Sequence, residues 1–219
     1  MVKFKDIKNN KEIRTYIEKA DEVLTALGYT EHSFAHVTKV AKQAKEILEI
    51  LGYDERTQEL AQIAGFMHDI GNVINRADHA QSGAVMAFRI LDKLGMDVEE
   101  IATVISAIGN HDEETAVPVN AVAAALILAD KSDVRRTRVR NRDVANFDIH
   151  DRVNYSVLSS KLIVDKEEKD AILYLKIDTE HFKIMDYFEI FLGRMLLCRK
   201  ASQFLGLKFK LVINDEQLL

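Results

Sequence analysis

Five glycines, Gly28, Gly52, Gly71, Gly95 and Gly109, stand where apolar stretches of helical period run out, and only one proline, Pro118, joins them. A chain punctuated in this way folds as consecutive helices. Between Gly28 and Gly52, Val37, Val40, Ala41, Ala44, Ile47, Leu48 and Leu51 recur at steps of three and four, which predicts one amphipathic helix. Asp54 has the chemistry of an N-cap for the next, which buries Leu60, Ala61, Ile63, Ala64 and Met67. Further helices are expected over about 79–94, 98–108 and 120–132, the last almost wholly apolar and therefore central.

Ligand-capable side chains fall on separate predicted helices. His36 lies beside the first stripe, and His68-Asp69 closes the second helix inside Gly65-Phe66-Met67-His68-Asp69-Ile70-Gly71-Asn72. His79, His111 in Gly109-Asn110-His111-Asp112, and Asp130 in Leu128-Ala129-Asp130-Lys131 follow. Four imidazoles with two carboxylates suit divalent Fe, Mn, Zn, Ni or Co, whereas an all-oxygen set would suit Mg or Ca. Six ligands are enough for two ions, with the Asp69 carboxylate free to bridge them. Two ions roughly 3.5–4 Å apart lower the pKa of a water held between them and neutralise charge on a phosphoryl group. Phosphate ester hydrolysis by a metal-held hydroxide is the natural use of such a pair.

The order His, His-Asp, His, His, Asp resembles the HD superfamily of metal-dependent phosphohydrolases in its six-ligand, two-metal branch, over about residues 30–140. The resemblance implies one ion bound by His36, His68, Asp69 and Asp130, and a second by Asp69, His79 and His111. One departure concerns Asn72, which stands where relatives acting on cyclic dinucleotides or dinucleoside polyphosphates commonly carry Lys. No Gly-Tyr-Pro signature follows His111 either. Both absences argue against a cyclic-di-GMP phosphodiesterase. The missing cation is expected from Lys131, as a catalytic residue with Asp69, or from the run Arg135, Arg136, Arg138, Arg140 and Arg142 after the last ligand. Arg135 is the first choice as catalytic and substrate-binding residue, and Arg136 the second. His32, four residues before His36, is assigned to the edge of the substrate site. Asp112, Glu113 and Glu114 are expected in a solvated turn, and His150-Asp151 in a structural or interdomain role before a strand.

The 219 residues, 47% of them hydrophobic, are enough for one sizeable core with a small appendix. The single Cys198 closes no intrachain disulfide and is most simply a buried small hydrophobe. With no apolar leader at the N-terminus and no apolar run long enough to span a bilayer, a cytoplasmic protein without membrane contact is expected. A net charge of -5 gives no pull toward nucleic acid, and no aromatics interleave the arginine run.

After residue 150 the period changes. Leu162 and Val164, then Ile172, Leu173, Leu175 and Ile177, predict a hairpin around the charged turn 165–170. A long helix from about Glu180 to Leu205, with Met185, Phe188, Leu192, Met195 and Leu196 on its inner face and Gly206 as its stop, leads to a strand over 208–213. The expected fold is mainly α: a helical metal-binding domain over 1–150 and a small β-β-α-β module over 151–219, which completes the pocket, dimerises the chain or senses a ligand. The expected function is hydrolysis of a small phosphorylated molecule, a nucleotide or signalling nucleotide, with two divalent transition metal ions. Two alternatives stay open: an HD-type di-iron oxygenase similar to inositol oxygenase, which uses the same ligands, and a non-catalytic regulatory protein with a structural metal.

Overall fold

Side-chain caps set where the helices start. A computed structural model describes residues 1–113, 116–141, 147, 149–180 and 182–219, with backbone alone at 149 and 150. Its helical part runs α1 (Phe4–Asn9), α2 (Lys11–Ala26), α3 (Phe34–Leu51), α4 (Glu55–Met67), a 3-10 turn (Ile70–Val73), α5 (His79–Lys93), α6 (Val98–Gly109) and α7 (Ala121–Lys131). Side-chain oxygens of Asn10, Ser33, Asp54, Asp97 and Asn120 accept from backbone amides in the first turns of α2, α3, α4, α6 and α7. Each such cap is worth about 1 kcal/mol over alanine. The predicted helices are thus present with bounds shifted by a residue or two, and α1 and α2 are additions that the glycine pattern did not announce.

The centre of the bundle is α7. From Val122 to Ala129 every residue is buried, and the helix packs against α3, α4 and α6 on its several sides. Small residues let backbones close on one another. A β-carbon at Gly65 would lie 2.8 Å from the Cα of Ala41, so the side of α4 that leads to His68 sits directly on α3, five residues beyond His36. Gly71 plays the same part in the 3-10 turn, where an added β-carbon would overlap the His79 carbonyl and come within 2.5 Å of the Gly83 amide.

The chain continues through a 3-10 turn (Arg136–Arg138), α8 (Ile149–Ser156), β1 (Val157–Asp165), β2 (Asp170–Ile177), α9 (Ile184–Phe204), β3 (Lys208–Ile213) and β4 (Glu216–Gln217). The sheet order is β1-β2-β3-β4. β1 and β2 form the expected antiparallel hairpin, and α9 is the crossover that lets β3 lie parallel to β2, Leu173 opposite Leu211. Three readings change. A helix, α8, occupies the stretch before β1, and the expected division at residue 150 falls inside it. α9 starts at Ile184 rather than near Glu180. Its inner face carries Tyr187, Phe191, Met195, Cys198 and Ala201, while Met185, Leu192 and Leu196 are exposed. Two apolar stripes compete on this helix, and the one that meets α7 is buried. Among the described residues, no helix is long and apolar enough to cross a membrane.

Gly71→Ala should cost about 3 kcal/mol or more, because the overlap is with backbone that cannot rotate away. Gly109→Ala, whose β-carbon would meet only the Ala84 side chain at 3.6 Å, should be neutral or stabilising by a few tenths. Urea unfolding of the two variants measures the contrast, and equal stability would remove the close-packing role of Gly71.

Candidate metal centre

All six expected ligands converge, each from the end of a helix. His36 lies in the first turn of α3, His68 caps α4, and Asp69 opens the 3-10 turn. His79 begins α5, His111 follows α6, and Asp130 closes α7. His36, His68, Asp69, His79 and His111 are buried.

The orientation of the rings is fixed from outside the cluster. Nδ1 of His68 faces the Gly65 carbonyl at 2.9 Å, Nδ1 of His79 the Arg76 carbonyl at 3.0 Å, and Nδ1 of His111 the Ile108 carbonyl at 2.6 Å. A carbonyl can only accept, so each of these Nδ1 atoms donates and each Nε2 keeps its lone pair. His36 follows the same rule with a carboxylate, its Nδ1 lying 2.8 Å from Asp133 Oδ2. The four Nε2 atoms therefore turn inward as acceptors.

Inside, the acceptors face one another. His36 Nε2 lies 3.3 Å from Asp130 Oδ1 and 3.6 Å from Asp69 Oδ2, and His68 Nε2 lies 3.1 Å from the same Asp69 oxygen. The other Asp69 oxygen, Oδ1, faces His79 Nε2 at 3.6 Å and accepts from the Asn72 amide at 2.9 Å. His79 and His111 bring their Nε2 atoms to 3.3 Å. Donor atoms of His36, His68 and Asp130 lie within 4.8 Å of one another, as do those of His68, Asp69 and His111. Among the described residues, His36 Nε2, His68 Nε2 and Asp69 Oδ2 are buried without a hydrogen-bond partner. Buried lone pairs without a donor are costly, and divalent cations satisfy them. The residues fit a metal.

Electrostatics agree. Burial alone would raise the pKa of Asp69 and of Asp130, but the imidazole of His68 beside the first and the ammonium of Lys131 beside the second hold both well below the ordinary carboxylate value. Burial, with the charges of His68 and Lys131, holds His111 well below the ordinary histidine value, and burial lowers His79. His68 goes the other way. Burial disfavours its charge, yet Asp69 and Asp130 raise its pKa.

A cavity of about 360 Å³ opens onto Asp69, His79, His111 and Asp130. Its wall includes Arg76, Lys131, Arg138 and Arg194, with Leu27, Tyr29, Ile190 and Phe191 as the apolar part. His32 lines it but stands before the Ser33 cap rather than on the face of α3. Its ring centroid is 5.5 Å from that of His36, and burial, aided by Arg138, keeps it neutral.

Several expected roles move. Arg135 is outside the cavity, committed to Asp133 at 3.0 Å and Glu31 at 3.4 Å. Arg136 is held by Asp178 at 3.2 Å and the Tyr155 carbonyl, over the Tyr155 ring. Arg140 pairs with Asp21. Of the described arginines in the run, Arg138 alone reaches the cavity. Arg142 and Glu114 lie outside the described residues, as does the His150 side chain. Glu113 is not in a solvated turn but in the cavity wall, bonded to Arg194 at 2.7 Å and 3.5 Å from Lys131, which lower its pKa to about 2 against the effect of burial. Asp151 joins the wall.

Two contributors were missed. Arg194 belongs to α9, 64 residues beyond Asp130 in sequence, and nothing local marks it. Asp133 is fully buried and ties His36 Nδ1 to Lys39 Nζ at 2.5 Å. Its spacing of three residues from Asp130 was the available signal.

The HD domain family matches residues 33–153, more than half of the chain. The chain belongs to the HD-domain family. A curated relative in Methanocaldococcus jannaschii, described as an uncharacterized protein, is 25% identical over 159 residues, 63% of this chain and 61% of the relative's length. This HD-domain chain is also similar to a crystal structure described as a predicted HD superfamily hydrolase from an uncultured Thermotogales bacterium. The identity is 26% over 60% of this chain and 74% of that one, with a TM-score of 0.45.

Asp133→Ala should weaken metal binding by about 10- to 100-fold while leaving all six ligands in place, since it removes the partner that orients His36. Competition with a chromophoric chelator measures this. An affinity equal to that of the unsubstituted protein would make Asp133 a purely structural carboxylate.

Proposed function

We propose that this HD-domain protein is a metal-dependent phosphohydrolase acting on a small phosphorylated molecule. One observation carries the reading. Four outward-anchored imidazoles and two carboxylates turn unprotonated donors toward one another, at the floor of a cavity whose wall carries three arginines and a lysine. An acidic ligand set next to a cationic wall suits a cation below and an anion above.

His36, His68, Asp69 and Asp130 would hold one ion, and Asp69, His79 and His111 a second. Bound there, divalent ions such as Mn or Fe supply an acidified water and offset charge on phosphoryl oxygens. The protein's own part is orientation. The two oxygens of Asp69 already face opposite halves of the ligand set, and Asn72 fixes the carboxylate by donating to Oδ1. Lys131, 2.8 Å from Asp130 Oδ2, sets the rotation of that carboxylate. His32, neutral at the cavity wall, contributes a polar contact to substrate without adding charge. Ile190, Phe191 and Arg194 close the cavity from α9, so the C-terminal module completes the site and shapes the substrate it admits. A nucleotide is of suitable size and chemistry, with an apolar wall for a base and a cationic one for phosphate.

Anaerobic reconstitution with Mn(II) or Fe(II), followed by elemental analysis and turnover on nucleotide and phosphonate panels with and without O2, tests the proposal. Two metals per chain are expected, and saturation at one would remove His79 and His111 from the site. Asp69→Ala should lose both ions, and His111→Ala chiefly the second. Turnover should persist without O2 and place oxygen from labelled water in the released phosphate. Product that forms only in the presence of O2 would replace the hydrolase with an oxygenase on the same ligands.

A further inference from the structure

Three of the four cations on the cavity wall are already neutralised or locked in place. Lys131 lies between Asp130 at 2.8 Å and Glu113 at 3.5 Å. Arg194 bonds Glu113 at 2.7 Å. Arg138 is buried and donates to the backbone carbonyls of Glu31 at 2.9 Å and Asp133 at 2.8 Å. Arg76 differs. Among the described residues it pairs with no carboxylate: Nη1 lies 3.3 Å from Asn72 Oδ1 and 3.5 Å from His79 Nε2, and the guanidinium carbon stands 5.8 Å from the centre of the Tyr29 ring. Nε and Nη2 have no described partner. A guanidinium has five N–H donors in a planar fork that matches an oxyanion, and most of this one's are unspent.

Its position adds a second argument. His79 Nε2 keeps its lone pair because Nδ1 donates to the Arg76 carbonyl, and that lone pair belongs to the metal ligand set. A divalent ion held by this nitrogen would add like charge beside the permanent charge of the guanidinium, a conflict that an anion shared between them would relieve. A phosphoryl group that touches both the ion and the guanidinium removes the conflict. Asn72 holds the arrangement in register, since its amide nitrogen donates to Asp69 Oδ1 at 2.9 Å while its amide oxygen accepts from Arg76. The same buried side chain therefore orients a metal ligand and a cation.

We propose that Arg76 is the anion-binding residue of this site, receiving the oxyanion of the reacting phosphoryl group and setting preference for substrates that end in one. The inference rests on the reading that the cavity takes a phosphorylated molecule, and it holds whether that molecule is a phosphate ester or a phosphonate. Tyr29 backs the guanidinium on one side and limits its rotation.

The test uses the whole 219-residue chain, metal-loaded, with inorganic phosphate as the probe, read by calorimetry. Arg76→Gln should weaken phosphate binding roughly 10- to 100-fold, the range for one charge-assisted contact. Arg76→Lys should recover part of the loss, and Arg89→Gln, a cation paired with Glu12 away from the cavity, should leave binding unchanged. Metal content should be the same in all four proteins. Phosphate affinity in Arg76→Gln equal to that of the unsubstituted protein overturns the proposal. So does a loss of metal in parallel with phosphate, which would make Arg76 a support for Asp69 and His79, and so does failure of the unsubstituted protein to bind millimolar phosphate. Turnover separates the two readings. A protein that binds phosphate through Arg76 but hydrolyses nothing keeps the anion site and rejects the hydrolase; one that hydrolyses with KM and phosphate affinity indifferent to Arg76→Gln does the reverse.

Discussion

Four imidazoles can share one buried centre only if each has its proton on the far side. Here that condition is met by backbone carbonyls one turn back, from Gly65, Arg76 and Ile108, and by the carboxylate of Asp133 for His36. Three of these four anchors come from the chain segment that carries the histidine itself, so the helix or turn that brings the ring also sets its tautomer. The cluster that results is unsatisfied by protein alone. Its buried lone pairs turn a folding penalty into affinity for a cation.

Helix ends deliver the ligands, and close backbone approach keeps the ends together. α3 and α4 touch where Gly65 meets Ala41, and the turn after His68 is pressed against the start of α5 at Gly71. The apolar α7 fills the space between and presents Asp130 at its last turn. A change of a few tenths of an ångström in these contacts would be felt at the ligand set, because small residues leave no slack to absorb it.

The cavity above the ligands is a joint product of the two ends of the chain. Leu27 and Tyr29 come from the segment after α2, while Ile190, Phe191 and Arg194 come from α9. Glu113, two residues past His111, holds Arg194 in the wall. The β-β-α-β segment in this way contributes to the cavity wall, and a division of the chain near residue 150 would separate Ile190, Phe191 and Arg194 from the His and Asp cluster at its floor.

Much of this was legible without coordinates. Period three-four patterns, with Asp54 as a cap and Gly28, Gly52 and Gly95 ending helices at positive φ, are local properties, and local sterics act the same way in any fold. The six candidate ligands were legible because metal chemistry restricts which residue types can serve, and because a family order ties them together. The fate of the arginines was not. Arg135, Arg136 and Arg140 are drawn away by Glu31, Asp178 and Asp21, and Arg138 is turned to the cavity wall, though all four lie within six residues. A long cation pairs with whatever carboxylate the fold brings near, from as far as 119 residues away in sequence, and no periodicity encodes that choice. The same holds for α9, where Met185, Leu192 and Leu196 of the stripe read from sequence are exposed and the stripe that meets α7 is buried instead. Sequence determined which atoms could hold metal and where helices begin; tertiary structure decided which charges are spent on the fold and which are left for a ligand, because ion pairing and burial are settled by distance in space rather than along the chain.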